Sequence, residues 1–84
     1  MVIDLHLAQN NIAHPIVAQL NYLEKELDRA LVLGLNEITV IHGIGTGALK
    51  AAVHKVAKEH PLVSSYEHGY HPLYGFGSTK IIFK

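Results

Sequence analysis

Polar side chains suited to acid–base chemistry stand where two predicted strands end. Asp4 and His6 are two residues apart near the start of the chain, and His42 follows a β-branched run. Residues two apart on a strand share a face, so Asp4 could orient and charge His6 for general acid–base work. The pair could instead bind a divalent metal ion, or simply be two polar residues at a solvated strand end.

His42 also opens a glycine-rich segment, HGIGTG, that precedes a predicted helix. Its glycines are Gly43, Gly45 and Gly47. Their backbone N–H groups could point inward as a nest for a phosphate, and the helix N-terminus adds about half a positive charge. Thr46 could cap that helix, and Lys50 would add a cation at the rim. The glycines could equally do no more than permit a tight strand-to-helix turn.

A third polar region follows the second helix. His68 and His71 have a spacing that could chelate a metal ion, but with no further ligand nearby we expect residues 68–78 to form an ordinary loop. The aromatic residues around this segment could stack on unpaired bases or could pin the loop to the surface. They are Tyr66, Tyr70, Tyr74 and Phe76.

The elements that must position these residues follow from hydrophobic periodicity. Strands are predicted over 2–6, 37–41, 62–66 and 79–83. A first helix is predicted from Pro15 to Gly34, its C-terminal cap, with an apolar stripe of Ile16, Leu20, Leu23, Leu27 and Ala30. A second helix is predicted to end before His60-Pro61.

The resulting order, β-α-β-α-β-β, predicts an α/β fold of the two-layer α+β kind, a mixed four-stranded sheet with two helices packed on it. Helical crossovers join parallel strands, whereas the last two strands should be antiparallel. The ends of the first two strands should then meet at one edge of the sheet. That topology predicts that Asp4, His6 and His42 converge there.

Composition limits the class of protein. The 84 residues are enough for one domain, and 49% of them are hydrophobic. Cysteine is absent, which excludes disulfides and thiolate sites and fits a reducing, cytoplasmic location. No apolar run approaches the roughly 18 residues of a membrane span. Met1 leads straight into a strand, so we expect a domain excised from the C-terminal part of a longer protein.

Charge is balanced overall but unevenly distributed. The formal net charge is zero, which argues against an indiscriminate polyanion binder. Residues 1–42 carry five acidic side chains against two basic ones, whereas residues 43–84 carry five lysines against two acids. One side of the domain should therefore be mildly basic.

Three segments resemble the motifs of the Smr (small MutS-related) domain family. They are Asp4-Leu5-His6-Leu7, the run from His42 to Leu49 (HGIGTGAL), and Gly75-Phe76-Gly77-Ser78-Thr79. The resemblance covers essentially all of residues 1–84. It implies a fold similar to the C-terminal domain of bacterial translation initiation factor three, and binding of DNA or RNA through the phosphate backbone. In several family members it also implies endonuclease or nicking activity stimulated by Mg²⁺ or Mn²⁺.

The resemblance also assigns roles to residues of this chain. Asp4, His6 and His42 would form the catalytic site, with His42 as general acid or base or as a phosphate contact. The nucleic-acid-binding residues would be Gly43, Gly45, Thr46, Gly47, Lys50, Gly75 and Gly77. Smr domains often belong to longer proteins, so other domains of a parent chain are expected partners.

Two hypotheses for function follow. The first is a nucleic-acid-binding domain with phosphodiesterase activity. The second is a non-catalytic module that binds nucleic acid or docks a partner. The second is favoured by the zero net charge, by Leu7 where the first motif has glycine, by Ile44 where many members carry Lys or Arg, and by Tyr74 where glycine is often found. Binding that depends steeply on salt would indicate phosphate contact.

Overall fold

A computed structural model describes residues 1–5, 15–43, 47–72 and 75–84. The elements are β1 (Val2–Asp4), α1 (Pro15–Val32), β2 (Glu37–Ile41), α2 (Ala48–Glu59), β3 (Val63–His71) and β4 (Gly75–Phe83). Two helices pack on one four-stranded mixed sheet, so the predicted fold is confirmed. Within the described ranges, neither helix is both long and apolar enough to cross a membrane.

The strand order in the sheet is β1-β2-β4-β3. β1 and β2 are parallel, with Val2 opposite Thr39 and Asp4 opposite Ile41. β4 lies between β2 and β3 and is antiparallel to both. Both predicted pairings are therefore confirmed, and the ends of β1 and β2 lie side by side.

The core lies between one face of the sheet and the helices. Strand residues alternate between the two faces, so every second residue enters the core. The buried strand residues are Ile3, Leu5, Ile38, Val40, Val63, Ile81 and Phe83, and the helices contribute Leu23, Leu27, Ala30, Val53 and Ala57. The opposite face of the sheet carries polar residues, including an ion pair between Lys80 and Glu37 at 3.3 Å.

The first helix ends as its sequence predicts. Gly34 adopts a left-handed φ of 74°, its N–H donates to the carbonyl of Leu31, and the N–H of Leu35 donates to the carbonyl of Ala30. This pair of bonds is a Schellman motif, which satisfies carbonyls that the helix end would otherwise leave unpaired.

The buried stripe of α1 differs from the predicted one at its start. Ile16 is 38% exposed, whereas Gln19 is buried. The side-chain amide of Gln19 donates to the carbonyl oxygen of Leu5 at 2.9 Å. A polar residue is tolerated in the core here because it satisfies the backbone at the point where the chain leaves β1.

The prediction of a loop over residues 68–78 was wrong. β3 extends to His71 and β4 begins at Gly75, so the segment is the end of a β-hairpin. Its glycines suggested a loop. In the structure Gly75 supplies a left-handed φ of 60° where β4 begins, and β4 continues through Gly77. Register shifts between Val63 and Ser65 and between Gly69 and His71 accommodate the irregular sequence.

Two element boundaries also shift. β1 ends at Asp4 instead of residue 6, although the N–H of Leu5 still donates to the carbonyl of Ile41. α2 begins at Ala48 with Gly47 as its N-cap at a left-handed φ of 86°, and the predicted capping role of Thr46 falls on a residue outside the described ones. His6 and Gly45 also lie outside the described residues.

Two leucines in or just after α1 should contribute very differently to stability. Leu27 is 1% exposed, whereas Leu33 is 60% exposed. Leu27→Ala should lower the free energy of unfolding by about 2–5 kcal/mol because it removes buried methyl groups and leaves a cavity. Leu33→Ala should change it by less than about 0.5 kcal/mol. Urea denaturation followed by circular dichroism measures both, and equal losses would contradict this assignment of the core.

Candidate functional site

The second and third motifs meet through their backbones. As the chain leaves β2, the N–H groups of His42 and Gly43 both donate to the carbonyl oxygen of Gly77, at 2.9 and 3.0 Å. Gly43 has a φ of 77°, which favours glycine. A Cβ added to Gly77 would lie 3.0 Å from the Cα of Gly43. Both glycines are therefore explained by this close approach.

The imidazole of His42 is held at both nitrogens. His42 is only 5% exposed. Its Nδ1 lies 2.7 Å from the carbonyl oxygen of Gly43, and its Nε2 lies 2.8 Å from Oγ1 of Thr79. A carbonyl oxygen can only accept, so Nδ1 of neutral His42 must carry the proton. Nε2 then accepts the hydroxyl hydrogen of Thr79.

Thr79 connects His42 to a second histidine. Thr79 is 1% exposed, and its Oγ1 lies 3.0 Å from Nε2 of His54 on α2. Because the hydroxyl hydrogen is already donated to His42, Oγ1 accepts a hydrogen from His54. The hydrogen bonds therefore run in one direction from His54 through Thr79 and His42 to the carbonyl of Gly43.

A third histidine completes the group. The ring of His68 on β3 stacks on that of His54, with centroids 5.2 Å apart and planes 26° from parallel. Tyr66 lies against His54 from the same strand, at 4.8 Å between centroids. We call His42, His54, His68 and Thr79 the histidine cluster. It occupies the edge of the sheet where β2 ends and α2 begins.

The surroundings of the cluster favour the neutral form of two of its imidazoles. Burial lowers the pKa of His42 below its ordinary value of 6.5, the bond to the Gly43 carbonyl opposes that change, and Lys50 and His68 lower the pKa further. Burial also lowers the pKa of His54, and the neighbouring His68, His42 and Lys50 lower it further. Both imidazoles are therefore neutral near pH 7.

The alternation of β1 directs Asp4 to the face of the sheet opposite the core. Ile3 and Leu5 are 2% and 0% exposed, both in the core, so Asp4 between them faces the other side of the sheet. His42, in contrast, bonds to Thr79 on the helix side. The two residues thus share an edge, as the topology predicts, but their side chains lie on opposite faces.

The structure describes five of the predicted nucleic-acid-binding residues, which are Gly43, Gly47, Lys50, Gly75 and Gly77. Gly43 and Gly77 form the backbone contact, and Gly47 caps α2 without a side-chain hydrogen bond. Lys50 is half-buried in the first turn of α2. Gly75 begins β4, paired with His71. The sequence analysis did not select His54, although it stands one turn after Lys50, and it interpreted His68 as part of a loop.

The described residues do not fit a protein-held divalent ion. Among residues 1–5, 15–43, 47–72 and 75–84, no group of three His, Asp or Glu side chains could hold a metal. His42 and His54 both direct Nε2 at the hydroxyl of Thr79 and so are engaged by hydrogen bonds. Mg²⁺ moreover prefers oxygen ligands, which imidazoles do not provide.

A separate groove between the helices is acidic. Its volume is about 320 Å³. The lining residues are Glu24, Asp28, Val56, Glu59, His60 and Pro61. Three carboxylates would repel a phosphate, so this groove is a poor place for a nucleic-acid backbone.

The chain is similar in sequence to known proteins of one family. The sequence profile of the family described as "Smr domain" matches residues 3–84. The chain belongs to the Smr domain family. It is similar to the endonuclease MutS2 of Clostridium novyi, at 44% identity over 61 residues, and to that of Clostridium tetani, at 47% over 58 residues. These matches cover 73% and 69% of this chain but only 8% and 7% of the two relatives.

Solved structures share the fold. The Smr domain of Thermus thermophilus MutS2 superposes with a TM-score of 0.80 at 26% identity, covering 99% of this chain and 96% of that one. YdaL, a stand-alone small MutS-related protein from Escherichia coli, superposes with a TM-score of 0.74 at 18% identity. The match covers 99% of this chain and 63% of YdaL, and it shows likeness of fold alone.

The close approach of Gly77 and Gly43 predicts that Gly77→Ala is destabilising, by about 1–3 kcal/mol, because the neighbouring atoms are backbone and cannot rotate away. It should also move the Gly43 carbonyl and so shift the NMR signal of the His42 Nδ1 proton. Gly34→Ala is the control: space is open around it but φ is 74°, so it should cost about 1–2 kcal/mol without moving that signal. An unmoved His42 signal in Gly77→Ala would contradict the proposed contact.

The lowered pKa values of His42 and His54 predict that stability falls in mild acid. Between pH 7.5 and 5.5 the unfolded chain binds more protons than the folded one, so the free energy of unfolding decreases as pH falls through 6.5 towards the folded pKa values. Thermal unfolding at these two pH values should show a lower Tm at pH 5.5. His54→Gln should reduce the difference, and a Tm that rises on acidification would disagree with neutral, buried imidazoles.

Proposed function

We propose that this domain binds the phosphodiester backbone of DNA or RNA at the histidine cluster and supports nicking, since its relatives are named endonuclease MutS2. The observation that carries the proposal is the convergence of three groups: Lys50 in the first turn of α2, His54 one turn later and His68 on β3. A nucleic-acid backbone is the common polyanion that such a surface would attract.

The helix end adds to this attraction. Gly47 supplies no side-chain hydrogen bond to the first turn of α2, where the helix dipole places about half a positive charge. Lys50 lies in that same turn. An anion at this position is stabilised by the helix dipole and by the lysine together.

Phosphodiester hydrolysis needs a base for the attacking water and positive charge near the phosphate oxygens. Imidazoles that are neutral near pH 7 can act as the base, and Lys50 supplies charge. The roles predicted for Asp4 and His6, and stimulation by Mg²⁺ or Mn²⁺, stay predictions from the family resemblance. So does a cytoplasmic location.

A second candidate function is binding without cleavage. It is favoured by the burial of His42 and by the hydrogen bonds at both of its ring nitrogens, which suit a structural role. In this alternative the histidine cluster is a rigid phosphate-binding surface. The domain would then deliver nucleic acid to, or hold it for, another domain of a longer protein, since it spans less than a tenth of the MutS2 relatives.

Two lysines of α2 provide a matched test of binding. Lys50 lies at the cluster, whereas Lys55 is exposed on another face of the same helix. Lys50→Ala should weaken binding to labelled single-stranded, nicked and branched DNA and to RNA, measured by fluorescence anisotropy. For duplex DNA the slope of log K against log salt should become shallower by about 0.9. Lys55→Ala should leave both quantities near wild type, and equal effects of the two variants would place the interface elsewhere.

The same oligonucleotides and a supercoiled plasmid, incubated with and without Mg²⁺ or Mn²⁺, separate the two functions. Conversion of plasmid to the open circle supports nicking, and the His42→Ala variant should abolish it. A gel shift without cleavage supports the binding module. Binding that does not respond to salt would rule out both.

A further inference from the structure

We propose that His54 is the catalytic base of the domain, taking the proton of the attacking water at Nδ1, and that Thr79 and His42 are positioning residues that set its tautomer. This inference rests on the proposed nicking activity. His54 belongs to none of the three family-like motifs. Its assignment comes from the direction of the hydrogen bonds in the histidine cluster.

The direction of hydrogen-bond donation in the cluster is fixed at a backbone carbonyl. The carbonyl oxygen of Gly43 lies 2.7 Å from Nδ1 of His42 and has no hydrogen to give. Neutral His42 therefore has its hydrogen on Nδ1 and a lone pair on Nε2. The Gly43 carbonyl is itself held in place, because the N–H of Gly43 is bonded to Gly77 at 3.0 Å.

The hydroxyl group of Thr79 links the protonation of His42 to that of His54. A hydroxyl group has one hydrogen, and Nε2 of His42 takes it at 2.8 Å. The oxygen can then only accept from Nε2 of His54 at 3.0 Å. His54 must consequently carry its hydrogen on Nε2 and its lone pair on Nδ1. The tautomer of His54 is thus set by a carbonyl two hydrogen-bonding groups away.

Access distinguishes His54 from His42. His42 is 5% exposed and both of its ring nitrogens are engaged within the cluster. His54 is only half-buried, and within the described part of the chain Nδ1 has no hydrogen-bond partner. A water or a phosphate oxygen can therefore approach Nδ1 of His54, whereas His42 is closed to it.

The groups around His54 suit a base that works beside a phosphate. Lys50 lies one turn earlier on α2, His68 and Tyr66 contact the ring from β3, His42 lies at the end of β2, and Thr79 comes from β4. Burial, and after it the neighbouring His68, His42 and Lys50, lower the pKa of His54, so the ring is neutral near pH 7 and can take a proton. A bound phosphate would offset the positive charge that forms on it.

The chemical step balances with water as the only co-reactant. The water oxygen forms a bond to phosphorus while one water proton moves to Nδ1 of His54. The bond from phosphorus to the ester oxygen breaks, and that oxygen keeps the electron pair and takes a proton from solvent. His54 leaves the step as an imidazolium whose Nε2–H still donates to Thr79, and it returns its extra proton to solvent.

The tautomer can be tested without any activity. In ¹⁵N-labelled protein at pH 7.5, two-bond ¹H–¹⁵N NMR spectra should show His54 protonated on Nε2 and His42 protonated on Nδ1. Thr79→Val removes the hydroxyl but keeps the branched shape, so His54 should relax to a mixture of tautomers. Thr79→Ser should retain the wild-type pattern. Wild-type His54 protonated on Nδ1, or a pattern unchanged in Thr79→Val, would overturn the positioning argument.

Activity tests the catalytic role. His54→Gln should lower the plasmid nicking rate by about 10²–10⁴-fold and remove the fall in rate at acid pH that a neutral base produces. Its Tm should remain close to that of wild type because residue 54 is only half-buried. His60→Gln, outside the cluster, is the matched control and should nick at the wild-type rate.

The two measurements distinguish the sources of failure. A wild-type domain that binds but does not nick would contradict both the proposed nicking activity and the role of His54 as its base. The NMR tautomers would still test the direction of the hydrogen bonds. A wild-type domain that nicks, together with a His54→Gln variant that nicks equally well, would overturn the role of His54 alone.

Discussion

The structure of the candidate site depends on one backbone contact, the carbonyl oxygen of Gly77 accepting from both His42 and Gly43. This contact joins the turn after β2 to the start of β4. It requires the two backbone segments to approach so closely that a Cβ on Gly77 would lie 3.0 Å from the Cα of Gly43. The glycines of two separate motifs therefore have one cause, which is steric.

That contact also has an electrostatic consequence. By holding the Gly43 carbonyl against His42, it determines which ring nitrogen carries a proton, and the hydroxyl of Thr79 passes that preference to His54. Buried hydrogen bonds are strong in a low dielectric, so a directed chain of this kind resists rearrangement. The backbone geometry of the loop thereby controls the chemistry available on the helix beside it.

A separation of charge on its surface would let a domain of zero net charge attract the proposed polyanion. The acidic side chains that line the groove between α1 and α2 are set apart from Lys50 and the histidines at the edge of the sheet. Local separation of charge, and not the total, produces the field that a ligand encounters. Membership of the Smr domain family, with relatives named as the endonuclease MutS2, is consistent with such a ligand.

The sequence by itself determined the order of elements, the β2 boundaries and the glycine that ends α1, because these follow from local periodicity and local backbone preferences. It also placed the ends of β1 and β2 together, because a helical crossover joins parallel strands. Only the tertiary structure decided that Asp4 and His42 face opposite sides of the sheet, because burial of Ile3 and Leu5 sets the phase of β1. It alone brought His54, His68 and Thr79 together, since they come from a helix and two strands whose contact is long-range and leaves no spacing signal in the chain.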